Sequence, residues 1–462
     1  MTVSRKIGIV FLAAQILAGS TPAGSPTAWA MAKKPGPEAA LAEPPKAPPA
    51  NAAPLALPES FALALKRSEA LAIKNVEIEK TWADFLRATG TAIGDVDYTL
   101  TDFFQQPLDS DSGGSSGVSS TYTQEERRER KFVISQPLFQ GFKSMAALTA
   151  VGSIKRQRSR DRDRAEQVLF LDVVRAYVAV LRSEHDLQIT SEIRDLLRNR
   201  AKELKDWEAI GRSRLSEIAN AETLLQSAEA SLARTRGEHA IQRHILEFLT
   251  GISLEGRTLA DIHSEVTAPD PLQSFVGYAR SRPDVQAARE SVKTSLQTIL
   301  IAQSELWPKI SLDSNVYDRR EGFQGGIHWD ALLTMKVPLS RGGTTLGNMK
   351  ETYSNWKQSK LSYSQTYRLA VLDIQRSYES WVSSYEQYKS LEQAVKSADQ
   401  NYVLQKDDYA HNLVSNLEVL QALESLNNTR LNFNHAYYDL QVEYWNLQVA
   451  CGSCCHSPTD IK

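Results

Sequence analysis

Cys451, Cys454, Cys455 and His456 are the residues of this 462-residue sequence that come nearest to a chemical site. Three thiols and an imidazole in a Cys-x-x-Cys-Cys-His run could share one soft metal ion. The run follows the last helical pattern, however, and in an oxidising compartment two of the thiols would simply pair. The expectation is therefore no resident metal and no cofactor. Gly141-Phe142-Lys143-Ser144 lacks the adjacent Gly-Lys and the preceding glycine of a phosphate loop, and neither Gly-x-Ser-x-Gly nor His-Glu-x-x-His occurs. His239 and His244, five apart, would share a helix face poorly and read as surface or seam histidines. The basic run Lys155, Arg156, Arg158, Arg160, Arg162 and Arg164 is interleaved with Asp161, Asp163 and Glu166. It reads as a solvated helix face, not as a nucleic-acid site. No catalytic constellation is left, so the chain is expected not to be an enzyme.

The remaining chemistry is that of charge facing water, and the carboxylates that carry it sit in strand patterns. Val96, Tyr98 and Leu100 alternate with Asp95, Asp97, Thr99 and Thr101; Phe132 and Ile134 alternate with Lys131 and Ser135, blurred by Val133. Ile310, Leu312 and Val316 alternate with Ser311, Asp313 and Asn315. Ile327, Trp329, Ala331, Leu333, Met335 and Val337 alternate with His328, Asp330, Thr334 and Lys336. Period-two alternation predicts strands with one apolar and one polar face, grouped as two hairpins at about 93–139 and 309–339. Asp95, Asp97, Asp313, Asp330 and Lys336 are expected to line water. Flanking aromatics (Phe103, Phe104, Phe139, Phe142, Trp307, Phe323) and strands of about ten residues match a membrane barrel wall. A mean hydropathy of −0.36 and a net charge of −2 do not exclude this, because barrel strands give weak hydropathy signals. Four strands cannot close a barrel, and lipid does not tolerate an open edge. Assembly is therefore required, and three copies give twelve strands.

Helices must carry these strands. Lys143 to Glu208 runs without a proline, which at 1.5 Å per residue is roughly 100 Å of helix. Val419, Leu423, Leu426, Arg430, Phe433, Tyr437, Leu440, Tyr444 and Leu447 step by alternating fours and threes with one polar exception, the period of a left-handed supercoil. Ile218, Ala221, Leu225, Ala228 and Leu232 keep the same spacing. The pattern recurs: Pro137 and Gly141 match Pro338 and Gly342, Gly211 matches Asn412, and Gly251 matches Gly452, each pair 201 apart (338 − 137, 452 − 251). One register held throughout predicts an internal duplication. Ser60 and Ser274 are instead 214 apart (274 − 60), so the first copy carries 13 extra residues (214 − 201), expected as an exposed loop within Asp109 to Ser120.

The expected organisation is a secretory signal peptide at 1–30 (Arg5-Lys6, an apolar run from Ile7 to Leu17, Ala28-Trp29-Ala30), a Pro/Ala-rich linker at 31–58 and a first repeat at 59–251. A linker at 252–272, a second repeat at 273–452 and a Cys-containing tail at 453–462 follow.

The repeats resemble the TolC-type outer-membrane efflux proteins. The resemblance rests on Gln136-Pro137-Leu138-Phe139-Gln140-Gly141, its partner Val337-Pro338-Leu339-Ser340-Arg341-Gly342-Gly343, Arg282-Pro283-Asp284-Val285-Gln286-Ala287-Ala288, Leu306-Trp307-Pro308-Lys309-Ile310 and Asn416-Leu417-Glu418-Val419-Leu420, and it spans Ser60 to Gly452. It implies an α+β membrane protein: a homotrimer whose 12-stranded β-barrel sits in outer-membrane lipid and continues as a coiled-coil α-helical barrel across the periplasm. It also implies a periplasmic adaptor and an inner-membrane pump of RND or ABC type as partners, in a tripartite efflux or type I secretion system, with no nucleic acid. The competing expectation is a periplasmic coiled-coil scaffold without a barrel.

The resemblance further implies a gate where the helices turn, with Gly211, Arg212, Ser213, Leu215, Asn412, Ser415 and Asn416 facing the adaptor. Tyr409 stands at the family's tyrosine and Glu418 at its first acid; Asn412 replaces the glycine, Val414 the arginine and Gln421 the second acid. Tyr409 should then lack its cationic partner, leaving closure to packing around Leu413, Leu417 and Leu420. Glu418 either lines the constriction or is one more exposed helix carboxylate, and Glu217 is expected to play at most a minor role.

Overall fold

The computed structural model describes residues 54–106, 126–262, 270–322 and 324–452. The expected signal peptide, the loop around Ser110 to Ser120, Phe323, and Cys454, Cys455 and His456 lie outside the described residues.

The chain runs α1 (Leu57–Arg67), α2 (Glu69–Ile93), β1 (Asp95–Phe104), β2 (Glu126–Phe139), α3 (Lys143–Ala209) and α4 (Leu215–Thr250). It continues through α5 (Leu272–Val276), α6 (Pro283–Gln303), β3 (Lys309–Arg320), β4 (Trp329–Lys336), α7 (Thr344–Ala410) and α8 (Asn416–Cys451). Both long helices, α3 and α7, have 67 residues, and both returning helices, α4 and α8, have 36. Their starts are 201 apart (344 − 143, 416 − 215), the offset read from the sequence.

The long helices organise the rest. α2 and α4 pack on α3, while α6 and α8 each pack between α3 and α7. α8 ends against the start of α6: a Cβ on Gly452 would lie 3.3 Å from Arg282 Cα and from Pro283 Cδ. Gly452 has φ +70, which leaves this close approach to a residue without a side chain. Heptad residues Val419, Leu423, Leu426, Leu440 and Leu447 are buried. The polar exception, Arg430, donates to Asp399 at 2.9 Å and lies 3.7 Å from Glu192, bridging α8 to both long helices.

Three expectations are corrected. The Pro/Ala-rich linker does not run to Pro58: Leu55 is fully buried, its N–H donates to the Thr258 carbonyl at 2.9 Å, and α1 begins at Leu57. The segment after α4 is likewise part of the core. Leu254 is buried, Leu55 and Leu259 form a parallel bridge, and the single proton of the Tyr177 hydroxyl is shared between the carbonyl oxygens of Leu55 (2.7 Å) and Ala260 (2.5 Å). A buried hydroxyl must be satisfied, and here it ties two strand-like segments to α3. The basic run on α3 is also not simply solvated. Arg156 pairs with Glu290 of α6 at 2.8 Å, Arg158 donates to the Glu77 carbonyl of α2 at 2.8 Å, and Arg164 donates to the Val449 carbonyl of α8 at 3.0 Å.

The four strands form one antiparallel sheet in the order β1-β2-β3-β4, with both hairpins as expected and β2 against β3 joining them. Gly94 feeds α2 into β1 at φ +92, where a Cβ would collide with the Ser135 carbonyl oxygen. Gly141 and Phe142 both adopt left-handed geometry (φ 62 and 65) at the turn from β2 into α3, as Gly342 and Gly343 do (φ 56 and 87) at the turn into α7. Phe142 accepts a conformation that favours glycine while its ring packs edge-on against Phe139 and Trp307.

Candidate functional site: helix tips and sheet faces

At one end of the long helices each chain reversal is built the same way. Gly211 (φ +77) and Asn412 (φ +60) take the left-handed position, which asparagine tolerates better than other residues with side chains. Arg212 N–H reaches back to the Trp207 carbonyl at 2.7 Å, and Leu413 N–H to the Asp408 carbonyl at 2.9 Å. Gly211, Arg212, Leu215, Asn412 and Ser415 are exposed, and Ser213 is half-buried.

Asn416 departs from the expected tip surface: it is 1 % exposed and accepts a hydrogen bond from Arg200 Nε at 2.9 Å. Arg200, on α3, is buried within a cluster that joins α3 and α4 to α7 and α8. Its guanidinium lies 4.3 Å from the Tyr409 ring centroid and 5.6 Å from that of Trp207, and its Nη1 donates to Glu203 at 2.9 Å. Trp207 and Tyr409 stack with centroids 5.5 Å apart and an interplanar angle of 20°. The Tyr409 hydroxyl donates to Glu217 Oε2 at 3.4 Å. Burial, reinforced by the Glu217 charge, pushes the Tyr409 phenol above its ordinary value, so it remains a proton donor at neutral pH.

This corrects the expectation that Tyr409 lacks a cation. The cation comes from α3 and not from the turn at Val414, and Glu217 is a contact of the tyrosine as well as a helix cap. A signal was present in the sequence: Ile193, Leu197, Arg200 and Leu204 step by four, three and four, placing a charge in an apolar seam as Arg430 does.

Leu420 is buried, but Leu413 and Leu417 are 73 % and 54 % exposed, so this chain alone does not bring them into a seam. Gln421 is exposed as well. The Glu418 carboxylate accepts from its N-cap Ser415, from the backbone N–H at 2.6 Å and from Oγ at 3.2 Å. Glu217 accepts from the backbone N–H of its N-cap Arg214 at 3.4 Å in the same role, and also from Ser213 Oγ at 2.8 Å. Both acids therefore have a local task, satisfying backbone donors at a helix start.

At the other end, the strand register sorts the sheet residues. Residues directly opposite share a face, and the row Asp95, Ser135, Asp313, Leu332 lies on the same side as Asp97, Lys131, Asn315, Asp330 and Lys336. The five residues expected to line water thus share one face, with Phe103, Val133 and Leu332 among its apolar intruders. Asp330 accepts from Asn315 Nδ2 and from the Tyr317 hydroxyl, both at 2.7 Å, and Arg320 lies 3.8 Å from it. The opposite face carries Val96, Tyr98, Leu100, Phe132, Ile134, Ile310, Leu312, Val316, Trp329, Ala331, Leu333 and Met335. Much of it is bare in the single chain: Val96 is 68 % exposed, Leu100 61 %, Trp329 66 %, Leu333 65 % and Met335 62 %.

Of the histidines, His239 Nδ1 lies 2.9 Å from Ser183 Oγ between α4 and α3, and His244 is a surface partner of Glu247 at 2.8 Å. Cys451 is buried, and among the described residues no group of His, Cys, Asp and Glu is arranged to hold a metal. No described helix is long and apolar enough to cross a membrane.

The family model of the outer membrane efflux proteins matches residues 278–453. The cation efflux system protein CusC of Escherichia coli is 23% identical over 251 residues, 52% of this chain and 54% of CusC. The outer membrane protein TolC of Vibrio cholerae is 22% identical over 330 residues, 69% of this chain and 75% of that protein. The chain thus spans about half the length of CusC and three quarters of that TolC. Among solved structures, the outer membrane protein VceC of Vibrio cholerae superposes with a TM-score of 0.74 at 19% identity, covering 86% of this chain and 96% of VceC.

Proposed function

We propose that this chain, whose second half is matched by the outer membrane efflux protein family and whose fold is that of VceC, is an outer-membrane exit duct. It would serve a tripartite efflux or type I secretion system in a Gram-negative bacterium, passing substrate outward passively. The observation that carries this reading is the exposed apolar face of the four-stranded sheet backed by a charged face. A bare band of Trp329, Leu333, Met335, Leu100 and Val96 exceeds what a water-facing surface tolerates, whereas it suits hydrocarbon, with the polar face turned to a water-filled lumen. A periplasmic scaffold needs no such band. Two free edges, β1 and β4, favour a trimer of twelve strands, because lipid leaves no unpaired edge.

In this reading the helix pairs extend into the periplasm, and the six tip turns of the trimer meet an adaptor that links the duct to an RND or ABC pump. The matching helix lengths favour descent from a duplicated unit. The cluster of Arg200, Trp207, Tyr409, Asn416 and Glu217 ties α3 and α4 to α7 and α8 at the tip, and we read it as the latch of the closed state. Leu413, Leu417 and Gln421, exposed in one chain, would meet their counterparts around the three-fold axis.

Fractionation of expressing cells tests the duct: the chain should be recovered with the outer membrane and require detergent for extraction. Recovery in the soluble periplasmic fraction would return the scaffold reading. For the constriction, Glu418→Gln should lower cation selectivity in planar bilayers, since converging carboxylates attract cations; unchanged selectivity would leave Glu418 as a helix cap only.

A further inference from the structure

β1 and β4, the free edges of the sheet, carry opposite charge at the same end and on the same face. Asp95 and Asp97 stand on the polar face of β1 where it leaves α2. Lys336 stands on the polar face of β4 where it approaches α7, directly opposite Lys309 of β3. Two lysines opposite one another repel, as do two aspartates two residues apart on one face. Asp95, Asp97, Lys309 and Lys336 make no ion pair with one another or with any other described residue of their own chain. Each edge thus presents unneutralised charge that the other would neutralise.

Strand lengths restrict how the edges can meet. The strands alternate in direction, so β4 of one copy lies antiparallel to β1 of the next. β4 has eight residues and β1 has ten. All of β4 is paired only when Lys336 faces Asp95, Val96 or Asp97. The middle register would turn Lys336 to the apolar face, because a one-residue slip inverts every side chain. Two registers remain, and in both Lys336 is directly opposite one aspartate and diagonal to the other. Barrel closure arrives at the same answer independently. Twelve strands tilted by about 35–45° need a total stagger of roughly 12–17 residues, or about four to six per copy. Within one copy Asp95 lies level with Leu332. A stagger of about four sets Lys336 against Asp95, and one of about six sets it against Asp97.

We propose that Lys336 of one copy sits between Asp95 and Asp97 of its neighbour, an inter-subunit ion pair on the lumen side that sets the register of the barrel seam. The inference rests on the trimeric reading above. It also means that one of the two aspartate charges is offset at each seam, so that the other shares the acidity of the lower lumen with Asp313. On the apolar face, the Asp97 register places Trp329 against Phe104 and Leu333 against Leu100.

Paired cysteines test it in a background with Cys451, Cys454 and Cys455 replaced by Ser. Lys336→Cys combined with Asp95→Cys, or with Asp97→Cys, should give disulfide-linked trimers on oxidation of the membrane-embedded protein. Lys336→Cys combined with Val96→Cys should not. In the otherwise native chain, Lys336→Glu should lower the temperature at which the trimer dissociates in detergent, and adding Asp95→Lys and Asp97→Lys should restore it. A trimer by light scattering that cross-links through neither aspartate position, or that is indifferent to Lys336→Glu, overturns the seam while leaving the trimer standing. A monomeric chain would remove both.

Discussion

Replacing Arg200 with Ala should loosen the helix tips and raise the open probability of the channel. The side chain is buried, and three contacts are lost with it. Asn416, itself 1 % exposed, would keep a buried acceptor without a partner, at a cost of about 1–3 kcal/mol. The stacking of the guanidinium over Tyr409 at 4.3 Å contributes about 1 kcal/mol. The pair with Glu203, whose side chain is 45 % exposed, adds little. Against these stands Arg200 Nη2, buried without a partner, whose removal relieves a desolvated donor. The balance is about 2–3 kcal/mol toward separation of the tips. If the cluster exists only in the closed state, the closed-to-open ratio falls by about 30- to 150-fold. Single-channel recording in planar bilayers reads this directly as dwell time in the conducting state. Arg200→Lys, which keeps the charge but not the planar fork, should fall between wild type and Arg200→Ala. Arg212→Ala should behave as wild type, because Arg212 is exposed and its guanidinium lies 5.8 Å from the Trp207 ring centroid. An Arg200→Ala channel with unchanged dwell times and unchanged heat stability would refute the latch.

Adjacent residues of β4 should respond oppositely to a charge. Leu333→Arg should cost about 2–4 kcal/mol of membrane-embedded stability if it lies near mid-bilayer, while Thr334→Arg should be tolerated; equal unfolding midpoints in urea would argue against lipid on the apolar face. Gly94→Ala should prevent outer-membrane assembly, because its Cβ would collide with the Ser135 carbonyl oxygen, whereas Gly211→Ala meets open space and should cost only about 1–2 kcal/mol of left-handed strain. Burial, followed by the Arg243 charge, holds the His239 imidazole below its ordinary value of 6.5. The unfolded chain then binds the proton more readily, so stability contributed by neutral His239 is present above pH 6.5 and is lost as pH falls toward its depressed folded value. His239→Gln should flatten the thermal-stability profile in that window, and an unaltered profile would exclude His239 as its source.

What could be read from the sequence was periodic, and what was missed depended on distant partners. A 201-residue offset between prolines, glycines and turn residues anticipated two pairs of helices of equal length, and alternation placed Asp95, Asp97, Asp313, Asp330 and Lys336 on one face before any register was known. Leu55 escaped because its neighbours are Pro and Ala, a composition that signals a linker, although Leu259 across the fold gives it a bridge. Asn416 reads as tip surface in the sequence because it follows a turn; only the approach of α3 buries it. Arg200 occupied a seam position in plain view, but Tyr409 lies 209 residues later (409 − 200), and no local pattern connects them. Local rules thus reach the elements and their faces, while the Arg200 cluster is a tertiary product of which helices become neighbours.

Conductance of the purified wild-type chain across a planar lipid bilayer bears most directly on the duct. Added from one side in detergent, the protein should insert as discrete, equal current steps, each from one trimer, and the steps should lengthen in dwell time with Arg200→Ala. A correctly folded, trimeric preparation that never conducts, whether wild type or Arg200→Ala, would contradict a channel of any kind.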